Sequence, residues 1–166
     1  MRKQPVLILT GFILSLCVTL QASGNAANSP KTLKVKLNYT GAGTVDEKHK
    51  IYLLVFDANP FTCTSLIDST GAAAPPAPAA GVCHILRRTS TDSKNGNITI
   101  ADLGSSPVYA AAFLDEDGSY DGHSDPAQGS PMGTYGKAPD KPDPINLEDG
   151  KTVEITLPFD DSLKTP

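Results

Sequence analysis

TLKVKLNYT, Thr32 to Thr40, alternates without a break. Leu33, Val35, Leu37 and Tyr39 fall on one side of an extended chain; Lys34, Lys36 and Asn38 fall on the other. A helix would scatter these four apolar side chains around its cylinder. A strand gathers them into one apolar face and leaves the other face wet. TVEITLPF, Thr152 to Phe159, repeats the pattern, with Val153, Ile155, Leu157 and Phe159 inward and Thr152, Glu154 and Thr156 outward. Pro158 has no backbone donor, which places this strand at a sheet edge.

Two runs between them are apolar on both faces: IYLLVF (Ile51 to Phe56) and VYAAAFL (Val108 to Leu114). Short, and rich in β-branched, aromatic or small residues, they read as central strands. GNITIADL (Gly96 to Leu103) adds a strand with Ile98 and Ile100 inward, and CHILRR (Cys83 to Arg88) a weaker one. No segment carries a sustained helical period with caps. The expected fold is all-β: a seven-stranded (six to eight) antiparallel two-sheet sandwich.

The 166-residue chain opens with Arg2 and Lys3, then an apolar core from Val6 to Leu20, then the small residues ASGNAAN. This is the order of a secretory signal peptide, assigned to residues 1–26, with one domain over 27–166. The core is shorter than the roughly twenty residues a spanning helix needs, so no transmembrane span is expected after cleavage. Export implies a periplasmic, secreted or envelope-associated protein. Leu14-Ser15-Leu16-Cys17 offers a lipoprotein alternative through Cys17, weakened because Leu16 is not small. The formal charge is -4, and loss of Arg2 and Lys3 takes it to -6. Such a chain is a poor partner for nucleic acid.

Cys63 and Cys83 remain in an oxidising compartment, where an even pair reads as a disulfide. Between them TGAAAPPAPAAG, Thr70 to Gly81, is an Ala/Pro/Gly segment with little to pack, expected to form a long surface loop.

TSTDSKNGNITIADLGSSPVYAAAFLDEDG resembles the core of prealbumin-like (transthyretin-like, carboxypeptidase-regulatory-like) β-sandwich domains. Gly96, Ile98, Ile100, Asp102, Leu103 and Tyr109 fill the places of that pattern. FLDEDGSYDG and SPMGTYG (Ser130 to Gly136) look similar to exported bacterial domains of the class, whose Tyr-led strand ends in an acidic loop. The resemblance implies a prealbumin-like or Ig-like sandwich. The Tyr-Arg-Gly-Ser signature of the hydroxyisourate-hydrolysing relatives is missing from LPFDDSLKTP, which argues against that activity.

The acidic loop holds five acids between Asp115 and Asp125. Carboxylates this close repel, and a cation between them relieves the repulsion. Asp115, Asp117, Ser119 and Asp121 have the alternate spacing of a Ca²⁺ loop, Gly118 and Gly122 allow it to bend, and Asp125 can close it from the far side. An EF-hand is excluded: Tyr120 stands where Gly is needed and Pro126 where Glu is needed. The competing expectation is a solvated loop of turn-forming Asp and Gly. Of the histidines, His49, His84 and His123, none pairs with another His at metal-ligand spacing, and His123 reads as a surface residue. No G-x-S-x-G, HExxH or phosphate loop occurs. The expected function is therefore a non-catalytic exported module, not an enzyme, with a calcium-stabilised loop. Its partner would be an unidentified protein or glycan, in binding, adhesion or envelope structure. The alternatives are a small hydrolase, or a small-ligand carrier with an apolar pocket around Met132 and Tyr135.

Overall fold

The computed structural model describes residues 29–70, 79–138 and 140–166. The expected signal peptide, Cys17 and residues 71–78 of the Ala/Pro-rich segment lie outside them. Eight strands occur in chain order: β1 (Thr32–Tyr39), β2 (Ile51–Phe56), β3 (Ser65–Asp68), β4 (Val82–Thr91), β5 (Asn97–Ile100), β6 (Tyr109–Leu114), β7 (Met132–Thr134) and β8 (Thr152–Phe159). A short 3-10 helix, Pro60–Thr62, precedes β3. They form two sheets, ordered β5-β1-β8 and β3-β4-β2-β6-β7. The chain is an all-β two-sheet sandwich.

The alternating stretches behave as strands with one buried face. Leu33, Val35, Leu37 and Tyr39 are buried between the sheets, while Lys34 and Lys36 are exposed. Ile155, Leu157 and Phe159 of β8 meet the same core. Among the described residues β8 pairs with β1 alone, so Pro158 sits on an edge strand as expected.

The pairing is not antiparallel throughout. β1 and β8 run parallel, Thr32 opposite Thr152 and Tyr39 opposite Phe159. Both enter from the same end, where the Thr32 amide donates to the Lys151 carbonyl at 3.1 Å. β3 and β4 are also parallel. Their connection, Ser69 to Gly81, has the dozen or so residues that a return to the same end requires. β3 and β7 escaped the sequence pattern for physical reasons. All four β3 residues are exposed, so no alternation marks them, and β7 is three residues around Gly133. β4 extends to Thr91, well beyond the expected Arg88.

β2 and β6 are apolar on both faces because both faces are used. Leu53, Val55, Ala110, Ala112 and Leu114 point between the sheets. Leu54, Phe56, Ala111 and Phe113 point to the opposite, outer face of the larger sheet, where they form a second buried cluster with Ile85. No third layer of regular structure covers that face among the described residues.

The small sheet is clamped at Tyr39. Its hydroxyl donates to Asp161 Oδ1 and accepts from the Gly43 amide at 3.0 Å, while Asp161 Oδ2 accepts from the Ala42 amide at 2.8 Å. The Phe159 ring lies 4.9 Å from the Tyr39 ring, and Lys94 Nζ 5.1 Å from its centre. Burial, then the bond to Asp161, push the Tyr39 hydroxyl from 10.0 up to about 12. The Tyr39 bond, then the Ala42 amide, hold Asp161 below its ordinary 3.8. A raised folded pKa gives stability that is full below the unfolded value and lost as pH rises through the folded one. Tyr39 therefore predicts a fall in stability between pH 10 and about 12. Asp161 has the opposite sign: its contribution is present above 3.8 and lost as pH falls below it. In Tyr39→Phe both slopes are expected to flatten. Urea midpoints recorded against pH would show this, and identical profiles for the two proteins would refute the clamp.

Candidate functional site

β6 ends at Leu114, and the acidic loop turns at once. Asp115 is buried; its amide donates to the Lys50 carbonyl at 2.9 Å. Its carboxylate accepts from the Ser119 and Tyr120 amides at 3.3 and 3.2 Å. Asp117 also accepts from the Ser119 amide, at 3.0 Å. Burial, then the neighbouring Asp117 carboxyl, raise the Asp115 carboxyl, although the Tyr120 and Ser119 amides pull it down. The Ser119 hydroxyl and amide lower Asp117. Asp121 belongs to a separate turn: its Oδ1 accepts from the Ser124 and His123 amides, both at 2.8 Å, and these lower it to about 2. Asp125 lies apart, at the mouth of an apolar cleft described below. Asp115, Asp117 and Ser119 are thus brought together, and Asp121 and Asp125 are not. Among the described residues no three His, Cys, Asp or Glu side chains gather in a metal-holding group.

Tyr120, the residue that excludes an EF-hand, is the loop's apolar anchor. Its ring meets Tyr52 and Phe113 edge-on, at centroid distances of 4.5 and 4.9 Å, and those two stack at 5.4 Å. Such pairs contribute about 0.5–1.5 kcal/mol each beyond their buried area. From β4, Arg88 sits 6.0 Å over the Tyr120 ring, donates to the Gly122 carbonyl and reaches Asp68 Oδ2 at 3.0 Å. The loop is thereby folded back over the outer face of the larger sheet. Gly118 permits a close pass under Lys48: its φ is +67°, and a side-chain carbon there would lie 2.7 Å from Lys48 Cγ.

Beside this anchor the outer face opens into a cleft of about 380 Å³. Leu54, Phe56, Ala111 and Phe113 line its floor, and Met132 of β7 contributes from one side. Phe61 of the 3-10 helix and Leu66 of β3 form a wall; Pro126 and Thr165 stand at other margins. The wall is held by the Cys63–Cys83 disulfide, whose Cα atoms lie 5.8 Å apart, within the ordinary range. Asn59 caps the 3-10 helix, its Oδ1 accepting from the Phe61 amide at 3.0 Å. The opposite margin is fixed by the C-terminal segment, where Met132 donates to the Leu163 carbonyl at 2.9 Å and Thr165 exchanges backbone bonds with Ser130 and Gly129. The sequence supplied two cues to the cleft, the double-faced apolar strands and Met132. The aromatic wall was not legible, because Phe61 belongs to no periodic run. Tyr135, expected with Met132, packs against the inter-sheet core instead.

The histidines are widely different. His123 is exposed, with Nδ1 3.9 Å from Asp68. His49 bonds Asp46 at 2.9 Å. His84 is buried on β4, its Nδ1 2.6 Å from Asp57 Oδ2 and its amide donating to Asp57 Oδ1 at 2.7 Å. Asp57 continues the β2 register past Phe56, so the two residues face each other across neighbouring strands. The sequence carried no local signal for this pair, since the partners are 27 positions apart. His84 and Asp57 do not line the cleft. Compared with known proteins, the chain matches no family model, no curated protein and no solved structure.

Proposed function

We propose that the protein is a non-catalytic exported binding module whose site is the cleft on the outer face of the five-stranded sheet. One observation carries this: Leu54, Phe56 and Phe113 line a concave space of about 380 Å³ on a sheet face that would normally be polar. That volume is within the range of ligand pockets, which are mostly apolar with a few polar groups at the rim. The cleft takes an apolar group, aromatic or branched aliphatic. The sequence resemblance to prealbumin-like domains is compatible with this, since such sandwiches host many unrelated sites.

An uncharged apolar dye, N-phenylnaphthylamine, is expected to brighten on binding. Phe61 is 47% exposed, so Phe61→Ala removes a wall at little cost in stability. It should weaken dye binding about tenfold, equivalent to about 1.4 kcal/mol. Undiminished binding by Phe61→Ala, with Leu54→Lys binding equally well, would dispose of the cleft.

A calcium ion on the acidic loop forms the second part of the proposal. Its support is that the Asp115 and Asp117 carboxylates converge on one donor, the Ser119 amide, at 3.3 and 3.0 Å, with the Asp115 carboxyl raised chiefly by burial. Two carboxylates this close need a shared proton or a cation. Calcium tenfold above its dissociation constant should raise the melting midpoint by about 5 °C. A midpoint unmoved between millimolar calcium and chelator would leave the proton as the shared partner.

A further inference from the structure

The large apolar side chains left exposed among the described residues are Phe61, Leu66 and Ile67, at 47, 48 and 46%. All three lie on one margin of the larger sheet, on the 3-10 helix and β3. β3 is the outermost strand of that sheet and, among the described residues, pairs with β4 alone. Its Ser65 amide donates to the Gly81 carbonyl at 3.2 Å, and the Ser69 amide beyond its end donates to the Ile85 carbonyl at 3.0 Å. Backbone groups of a strand alternate in direction, so the N–H and C=O groups of Leu66 and Asp68 point off the free edge.

The other sheet margins are defended in ways β3 is not. β8 carries Pro158, whose missing donor discourages pairing. β7 is covered by the C-terminal segment through Met132 and Leu163. β5 turns Ile98 and Ile100 toward the core and exposes only the polar Asn97 and Thr99, so no apolar side chain flanks its edge. β3 has no proline and no lysine, it exposes apolar side chains at consecutive positions, and its one charge, Asp68, is tied to Arg88 at 3.0 Å. Among the described residues the backbone groups of Leu66 and Asp68 meet no partner, and such groups define the occupant as an extended chain, since a small apolar ligand leaves them unmet.

We infer that β3 is a docking edge, where an extended strand of a partner polypeptide, apolar at alternate positions, adds to the sheet. Leu66 is both an edge residue and part of the cleft wall. A partner residue paired beside it faces the same side and drops its side chain into the cleft. The inference rests on the cleft reading and names its partner class: backbone bonds along β3 supply attachment, and the cleft selects the side chain. Four residues of edge offer two outward-facing positions, so the contact is short and exchangeable.

The test uses a panel of seven-residue peptides alternating Thr with Val, Leu or Phe, read by amide hydrogen exchange on the intact protein. Binding by Phe- or Leu-containing members should slow exchange of the Leu66 and Asp68 amides at least tenfold. N-methylation of the peptide backbone should abolish the effect without altering its side chains. Leu66→Pro should bind at least tenfold more weakly than Leu66→Ala, because only proline also removes the outward amide. If no peptide slows these amides while N-phenylnaphthylamine still binds, the strand inference falls and the cleft stands. If the dye also fails to bind, both fall. A concentration-dependent dimer with both amides already protected would overturn the claim of a foreign strand, since a second copy would occupy the edge.

Discussion

Replacing both Cys63 and Cys83 by serine is expected to destabilise the protein by about 3 kcal/mol. The bridge closes a sequence separation of 20 residues, and loop-closure entropy of that size underlies the figure. The loss should not be spread evenly. Phe61, Leu66 and Ile67 belong to short elements with little burial of their own, and the bridge joins the end of the 3-10 helix to the start of β4. Without it, the wall of the cleft loses its covalent tie while the inter-sheet core keeps every residue. Hydrogen exchange of the double variant should accelerate first over residues 59–70, and dye binding should weaken more than global stability declines. An equal acceleration in β1 and β8 would mean that the bridge supports the fold as a whole and not the site.

Gly133→Val is expected to cost about 3 kcal/mol, at the upper end of ordinary overpacking. β7 and β8 belong to different sheets, yet their chains meet where a side-chain carbon on Gly133 would overlap Phe159 Cβ and lie 3.2 Å from Phe159 Cγ. Phe159 cannot retreat freely, because its ring packs 4.9 Å from Tyr39 in the clamp. The strain therefore passes from one sheet to the other. A chemical denaturation midpoint well below that of the parent is the expected result. A Gly133→Val protein as stable as the parent would show that this joint has slack.

The pattern of the chain carries the sandwich further than it carries the site. In β1 and β8 the alternation of Leu33, Val35, Leu37 and Ile155, Leu157, Phe159 follows from having one wet face, so it is visible without coordinates. β2 and β6 show continuous apolar runs, which say that both faces are dry but not what dries them. Here the second face is the floor of a cleft, covered in part by Tyr120 from the acidic loop. The same limit applies to the acids. Regular spacing suggested one cation centre, but local amides divide the carboxylates: Ser119 and Tyr120 donate to Asp115, while His123 and Ser124 donate to Asp121. Turn chemistry of this kind uses the same residue types as a calcium loop, which is why composition alone cannot separate the two. The parallel returns of β3 to β4 and of β8 to β1 depend on where connections exit, and side-chain periodicity is blind to that.

The most direct measurement is an amide chemical-shift titration with N-phenylnaphthylamine. The expected shifts center on Leu54 and Phe56, Ala111 and Phe113, Met132, and the Phe61–Leu66 wall, with the inter-sheet residues Leu37 and Leu157 unmoved. Shifts confined to Asp115 through Asp121, spread over β1, β5 and β8, or absent up to the solubility of the dye would contradict a binding site on the outer sheet face.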